Sequence, residues 1–333
     1  MLSFYRFNPS SIFFFFFMLL GLILVIMSGG LLGVWVGLEC GFLGVVSLLA
    51  GDSSYENEGC MKYFVFQSVG SGVLFIGFII MEGGTGYSIY WILLGLILKL
   101  GLFPFHFWVP AVLSLSSWFG CYVISLWQKL SPLWFLSGCG LGSVFILFVE
   151  VVVCITGLIG ALGGLGVLHF RVLLAYSSLI HTSWVVLLSM VSLSGVAVYF
   201  MVYSVVLGLL ILKLFNLNIY SYLDISKKIK SKTLFPVFLD FISLAGVPPF
   251  LGSIPKILVI LLCFKSFPIG VFFLIFSSMI SLYYYLSVVI SLGVGLGSSF
   301  FLMQSPKFFI THSTWLGVFL SVFFLVSLGF GGY

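Results

Sequence analysis

Long apolar segments constrain the fold of this sequence more than any other feature. About eleven of them follow one another with short connections, at residues 11–28, 31–50, 62–81, 87–117, 118–138, 143–163, 168–191, 195–216, 234–264, 268–293 and 312–331. A helix needs about 20 apolar residues to cross the hydrocarbon of a bilayer. The sequence therefore predicts an all-α, polytopic membrane protein of about eleven transmembrane helices, with no soluble domain.

The composition supports this prediction. The chain is 62% hydrophobic and 6% charged, so it has too few polar groups to cover a globule in water. Its formal net charge of +5 comes from lysines and arginines that are scattered or gathered in one loop, which argues against a nucleic-acid partner. The six cysteines occur singly, without the paired spacing of a zinc or iron–sulfur site. The first apolar segment could also be a signal peptide, but no small-x-small cleavage site follows it.

Residues 98–110, LKLGLFPFHFWVP, place a lysine, a histidine and two prolines inside an apolar run. An ionised lysine at membrane depth costs about 2.5 to 3.5 kcal/mol on insertion scales, so a lysine kept there indicates a functional site. Proline interrupts a helix, and a bilayer tolerates the interruption only where the freed backbone faces protein or a wet cavity. The stretch predicts a broken helix with a buried cation, which is typical of ion transporters.

A second interruption, at residues 246–252 (GVPPFLG), precedes Lys256. The two broken spans lie five spans apart, and because five is odd they cross the membrane in opposite directions. We therefore predict two inverted five-helix repeats, residues 1–138 and 143–293, each with one broken helix. With an extra C-terminal helix at 312–331, they form a single transmembrane domain over residues 1–333.

The distribution of basic residues predicts the orientation. Successive loops alternate between the two sides of the membrane, and nearly all the basic residues of the loops fall on one side. That side has Arg6, Lys62, Arg171, Lys227, Lys228, Lys230, Lys232 and Lys307, while the other has Lys265. The positive-inside rule assigns the lysine-rich side to the cytoplasm or mitochondrial matrix and leaves Tyr333 outside. The basic loop 218–233 is expected to set topology, with anionic-lipid contact as a second possibility.

The ionisable groups inside the predicted spans are the candidate functional residues. They are Glu39, Lys99, His106, Lys129, Glu150, His181 and Lys256. Lysine suits a proton relay because burial favours its neutral form, while a nearby carboxylate favours the ammonium. We expect Glu39 and Lys99 to form an ion pair, and Lys129 and Lys256 to continue a row that passes protons through water.

Simpler explanations exist for several of these residues. Glu39 could be a structural partner of a neighbouring span, and buried histidines such as His106 and His181 are more often hydrogen-bonded packing residues. Glu150 is left open, since it could lie near enough to a span end to be solvated. The glycine-rich stretches 138–142 and 160–166 lack the strand context of a nucleotide site, so close helix packing is the better explanation.

Several motifs resemble a known family. They are residues 37–39 (GLE), 61–64 (MKYF), 99–110 (KLGLFPFHFWVP), 127–132 (WQKLSP), 174–178 (LAYSS) with His181, and 246–249 (GVPP) with 255–256 (PK). In this order they resemble the NADH-ubiquinone oxidoreductase chain 2 family, the mitochondrially encoded antiporter-like subunits of respiratory complex I. By this resemblance, Glu39 and Lys99 are the glutamate–lysine pair, Lys129 the central lysine and Lys256 the lysine of the second broken helix. Ala111 departs from the family, whose members commonly have glutamate there.

The resemblance implies a proton-translocating subunit of NADH:ubiquinone reductase. Flavin, iron–sulfur clusters and ubiquinone would be used by other subunits, with no cofactor in this chain. The implied partners are other membrane-arm subunits and lipids such as cardiolipin, in the mitochondrial inner membrane with the N-terminus on the matrix side. A free-standing cation/proton antiporter and a purely structural membrane scaffold are the alternatives.

Overall fold

The computed structural model describes residues 9–295 apart from residues 52, 85–86, 140–141, 223, 225–230 and 249. Within that part of the chain every regular element is a helix, and His169 and Ser221 form an isolated β-bridge. The predicted all-α class is confirmed.

The helices follow one another with short connections. They are α1 (Pro9–Met27), α2 (Leu31–Leu49), α3 (Ser54–Glu82), α4 (Ser88–Leu100), α5 (Trp108–Leu115), α6 (Trp118–Tyr122), α7 (Gln128–Gly138), α8 (Ser143–Gly163), α9 (Phe170–Ser189), α10 (Leu193–Leu217), α11 (Ser231–Ala245), α12 (Ser253–Cys263) and α13 (Pro268–Gly295). Each of the ten spans predicted up to residue 293 coincides with one helix or with a helix divided by an interruption. The eleventh, 312–331, lies outside the described residues.

Length and composition agree with a membrane location. Seven helical segments of the described chain are long and apolar enough to cross a bilayer. Three shorter apolar helices accompany them, at Ser11–Met27, Pro236–Ala245 and Ser253–Cys263. The last two are the halves of the second broken span, which neither could complete alone.

Both predicted interruptions are present, and they start in the same way. The first separates α4 from α5 and the second separates α11 from α12. Gly101 and Gly246, which directly follow α4 and α11, have left-handed backbones with φ of 70° and 81°. Glycine adopts this conformation without the Cβ clash of other residues, and it commonly ends helices.

The fifth span is distorted near its centre. Between α6 and α7 the backbone forms a π-helical turn, Val123–Trp127, and Pro132 lies inside α7. A π-turn adds a residue to the helical turn and is frequent at functional sites. The π-helical turn ends two residues before Lys129.

Two helices begin earlier than the predicted spans. The third span was predicted to begin at residue 62, but α3 begins at Ser54. The Ser53 hydroxyl caps it by accepting a hydrogen bond from the Glu56 amide (3.2 Å). An acidic residue in the first turn also favours this helix end because of the helix dipole. Likewise α11 begins at Ser231, inside the predicted basic loop 218–233.

Helix α9 lies at the centre of the bundle. Every residue from Ser177 to Ser189 is buried. The helix contacts α5 and α7 from the first half of the chain and α8, α10, α12 and α13 from the second half. A side chain on α9 can therefore lie between groups from both halves of the chain.

Candidate functional site

Glu39 on α2 and Lys99 on α4 form the predicted ion pair. The Lys99 Nζ lies 3.6 Å from the Glu39 Oε1. The lysine side chain is 1% exposed and the glutamate 21%. The separation is longer than a direct hydrogen bond, so the two groups interact mainly through charge.

The end of α4 is fixed by side chains from other segments. Gln67 on α3 donates a hydrogen bond to the Lys99 carbonyl (3.1 Å), and the Trp108 indole donates to the Leu98 carbonyl (3.2 Å). These carbonyls belong to the last turn, where a helix leaves its acceptors without internal partners. Lys99 is thus held at a helix C-terminus, whose dipole favours a cation.

Lys129 connects α7 to the central helix. Its Nζ donates a hydrogen bond to the Ser178 carbonyl on α9 (3.1 Å), and the residue is 2% exposed. No carboxylate of the described residues forms an ion pair with it. The acceptor lies one helical turn before His181.

His181 is a buried histidine on the central helix α9. Its Nδ1 forms a hydrogen bond with the Tyr199 hydroxyl (2.8 Å), and its ring is buried. It lies within electrostatic range of both Lys129 and Lys256. The structure thus brings together three of the candidates that the sequence placed on separate spans.

Lys256 spans the second interruption. Its Nζ donates a hydrogen bond to the Ala245 carbonyl (2.6 Å), at the C-terminal end of α11. Its side chain passes over Gly246, where an added Cβ would lie 2.9 Å from the Nζ. Glycine at 246 therefore provides both the left-handed turn and the space for the lysine.

Two other candidates lie apart from this arrangement. His106 is buried in a short 3₁₀ turn between α4 and α5, and its ring contacts Phe103 and Phe107. Glu150 on α8 accepts a hydrogen bond from the Gly270 amide (2.7 Å) in the first turn of α13. A carboxylate there supplies an acceptor for an unpaired helix amide and interacts well with the dipole.

Sequence reasoning missed one buried ion pair. Lys213 on α10 and Asp240 on α11 approach to 2.6 Å, with side chains 20% and 7% exposed. Lys213 also donates a hydrogen bond to the Pro236 carbonyl (3.3 Å). The available signal was the aspartate itself, a carboxylate inside the apolar run 234–245.

No group of three His, Cys, Asp or Glu side chains in the described part of the chain could hold a metal ion. The cysteines of this part, Cys40, Cys60, Cys121, Cys139, Cys154 and Cys263, are all unbridged.

Comparisons with known proteins identify the family of this chain. The family model described as NADH:quinone oxidoreductase/Mrp antiporter, transmembrane, matches residues 28–281. NADH-ubiquinone oxidoreductase chain 2 of Mytilus edulis is 38% identical over 275 residues, which cover 82% of this chain and 83% of that protein. The chain belongs to the NADH-ubiquinone oxidoreductase chain 2 family. The same subunit of Locusta migratoria is 33% identical over 285 residues, covering 81% of this chain and 82% of the relative.

A solved structure agrees on the fold. A chain of respiratory complex I from Thermus thermophilus with bound aureothin superposes with a TM-score of 0.74 at 20% identity, covering 86% of this chain and 71% of that one. At this identity the similarity concerns the fold alone. The two chains thus share the same helical architecture.

Proposed function

We propose that this chain is a proton-translocating core membrane subunit of respiratory complex I. In this function, electron transfer from NADH to ubiquinone in other subunits drives protons across the membrane. The observation that carries the proposal is the contact of Lys129 with the central helix α9, at the Ser178 carbonyl, together with the position of His181 on that helix within electrostatic range of Lys129 and Lys256. Family membership supports it, since the relatives are named as subunits of NADH-ubiquinone oxidoreductase.

The proposed mechanism starts at the Glu39–Lys99 pair. Adding charge to this pair or removing it changes the proton affinity of Lys129, because charges interact strongly in a low-dielectric interior. Lys129 then exchanges a proton through water with His181, and His181 exchanges one with Lys256. Each amine and the imidazole can hold or release one proton, so the row conducts without covalent chemistry. His106 stays a secondary candidate.

The remaining assignments of this proposal rest on the family resemblance, on the positive-inside rule and on the spacing of the two helix interruptions. Flavin, iron–sulfur clusters and ubiquinone act in other subunits, and this chain takes part in the enzyme without a redox centre of its own. Its partners are the neighbouring membrane-arm subunits and lipids, cardiolipin among them. It resides in the mitochondrial inner membrane with its N-terminus in the matrix, and residues 1–138 and 143–293 form the two inverted repeats.

A stand-alone cation/proton antiporter is the second candidate, because the matching family model also includes Mrp antiporters. Such a protein would transport cations without NADH dehydrogenase partners. Co-migration of the chain with NADH dehydrogenase activity on a native gel separates the two functions.

Substitution of Lys129 by methionine tests the proposal. Methionine keeps most of the length of the side chain and removes its ionisable amine, so the complex is expected to assemble while proton pumping and coupled NADH oxidation fall by about 100-fold. Protons translocated per electron and turnover are measured in vesicles that contain the complex. The control is Lys62→Met, since Lys62 is 43% exposed and pairs with Glu58 at the surface. Unchanged pumping in Lys129→Met removes this lysine from the mechanism.

A further inference from the structure

A series of buried hydroxyl groups begins beside His181. Tyr199 and Tyr203 come from α10, Tyr284 and Tyr285 from α13, and Ser177 from α9. None of the four tyrosines is more than 4% exposed. Burying a polar atom without a partner is costly, so a cluster of hydroxyls inside a membrane protein needs an explanation beyond packing.

Tyr203 packs against the imidazole ring of His181, next to the Tyr199 hydroxyl that bonds to the Nδ1. The two rings lie 4.2 Å apart between centroids, and the Tyr203 hydroxyl is buried without a hydrogen-bond partner among the described residues. Unpartnered buried hydroxyls of this kind are common sites of ordered water. A water there could receive a proton from the Tyr203 hydroxyl or donate one to it.

The polar groups continue from Tyr203 along α13. Tyr285 lies within electrostatic range of Tyr203, and its hydroxyl lies beside that of Ser177. The rings of Tyr284 and Tyr285 are 4.6 Å apart. Tyr222, on the loop that follows α10, lies near Tyr285 and beside Ser287 of α13.

This series leads to one face of the membrane. The loop that precedes α9 and the loop that follows α10 are joined there, since the Phe170 amide bonds to the Tyr220 carbonyl (3.0 Å) and the Tyr222 amide to the Leu168 carbonyl (3.2 Å). We call this end of the bundle the 168–222 face. At 1.5 Å per residue, His181 lies about 16 Å from it along α9 and Ser177 about 10 Å.

We propose that Tyr203, Tyr285 and Ser177, completed by water, form a branch that carries protons between His181 and the 168–222 face. Each hydroxyl oxygen receives a proton from one neighbour while its own proton passes to the next. No covalent bond other than O–H and N–H changes, and one proton leaves the solution at this face for each proton that reaches the imidazole. This proposal rests on the proposed function and adds an entry point for the protons of the row.

The test is a double variant, Tyr203→Phe with Tyr285→Phe, in the assembled complex. Phenylalanine keeps the ring contacts and removes the two hydroxyls. We expect coupled turnover to fall about tenfold, with a larger solvent deuterium isotope effect because proton delivery becomes limiting. A structural role would leave the isotope effect unchanged. The matched control is Tyr283→Phe on the same helix, since Tyr283 is 67% exposed and faces outward.

The outcomes separate this branch from the proposed function. Wild-type turnover and isotope effect in the double variant overturn the branch, provided that Lys129→Met still fails to pump. Normal pumping in both variants overturns the function as well. If the double variant does not assemble, the single Tyr203→Phe variant decides, because its hydroxyl has no partner to lose. Wild-type behaviour of that variant again overturns the branch.

Discussion

The buried lysines differ in what holds them. Lys99 has a carboxylate within ion-pair distance, whereas Lys129 and Lys256 donate to backbone carbonyls. A carbonyl stabilises the ammonium through its dipole but does not cancel its charge, so these two lysines depend more on other nearby charges. This difference suits a relay in which the Glu39–Lys99 pair sets the charge and the later groups respond to it.

The Lys213–Asp240 pair supplies a prediction about stability. Asp240→Asn leaves a largely buried lysine without its counter-charge, and breaking a buried pair in this way costs about 3 kcal/mol. We expect faster thermal inactivation of the assembled complex. The control is Glu58→Gln, which breaks the pair between Lys62 and Glu58. That pair has the same N–O distance, 2.6 Å, but its side chains are 43% and 53% exposed. Exposed pairs contribute about 0 to 1 kcal/mol, so equal inactivation of both variants contradicts the account.

At the scale of helices, the sequence predicted the interruptions but not all of their geometry. Prolines 104, 248 and 249 indicated where helices stop, because proline removes a backbone donor. The need for space beside Gly246 was not visible, since it depends on where the Lys256 side chain passes. The early start of α3 could have been predicted, because Ser53 and Glu56 have the spacing of a capping box.

Glu150 gives a prediction that separates a structural from a proton-carrying role. In Glu150→Ala the Gly270 amide loses its acceptor, so the link between α8 and α13 should weaken by about 1 kcal/mol. Glu150→Gln keeps an acceptor oxygen and should recover most of the stability. Thermal inactivation and protons per electron are measured together, with Glu82→Ala at the exposed end of α3 as the control. A pumping defect in Glu150→Gln at normal stability would assign this residue to the proton path.

At the scale of the whole molecule, the sequence predicted the number and order of the spans up to residue 293. The bilayer enforces that result, because every backbone group in the hydrocarbon needs an internal partner. The sequence did not indicate that α9 would be central, or that Asp240 would meet Lys213. Such pairings depend on contacts between helices far apart in the chain, and periodicity within one helix carries little information about them.

The central position of α9 links the two halves of the chain. It touches α7, which carries Lys129, and α12, which carries Lys256. Conduction between Lys129 and Lys256 is therefore expected to pass beside this helix. His181 and the Ser178 carbonyl are the polar groups that it offers to those two lysines.

The central claim is that these buried groups form one hydrated row. A map of the assembled complex in its membrane, at a resolution that shows ordered water, tests it most directly. The account predicts waters that connect Lys99, Lys129, His181 and Lys256 in at least one captured state, with each nitrogen facing the interior. Dry, closely packed side chains between these nitrogens in every state, or nitrogens that face lipid, would contradict it.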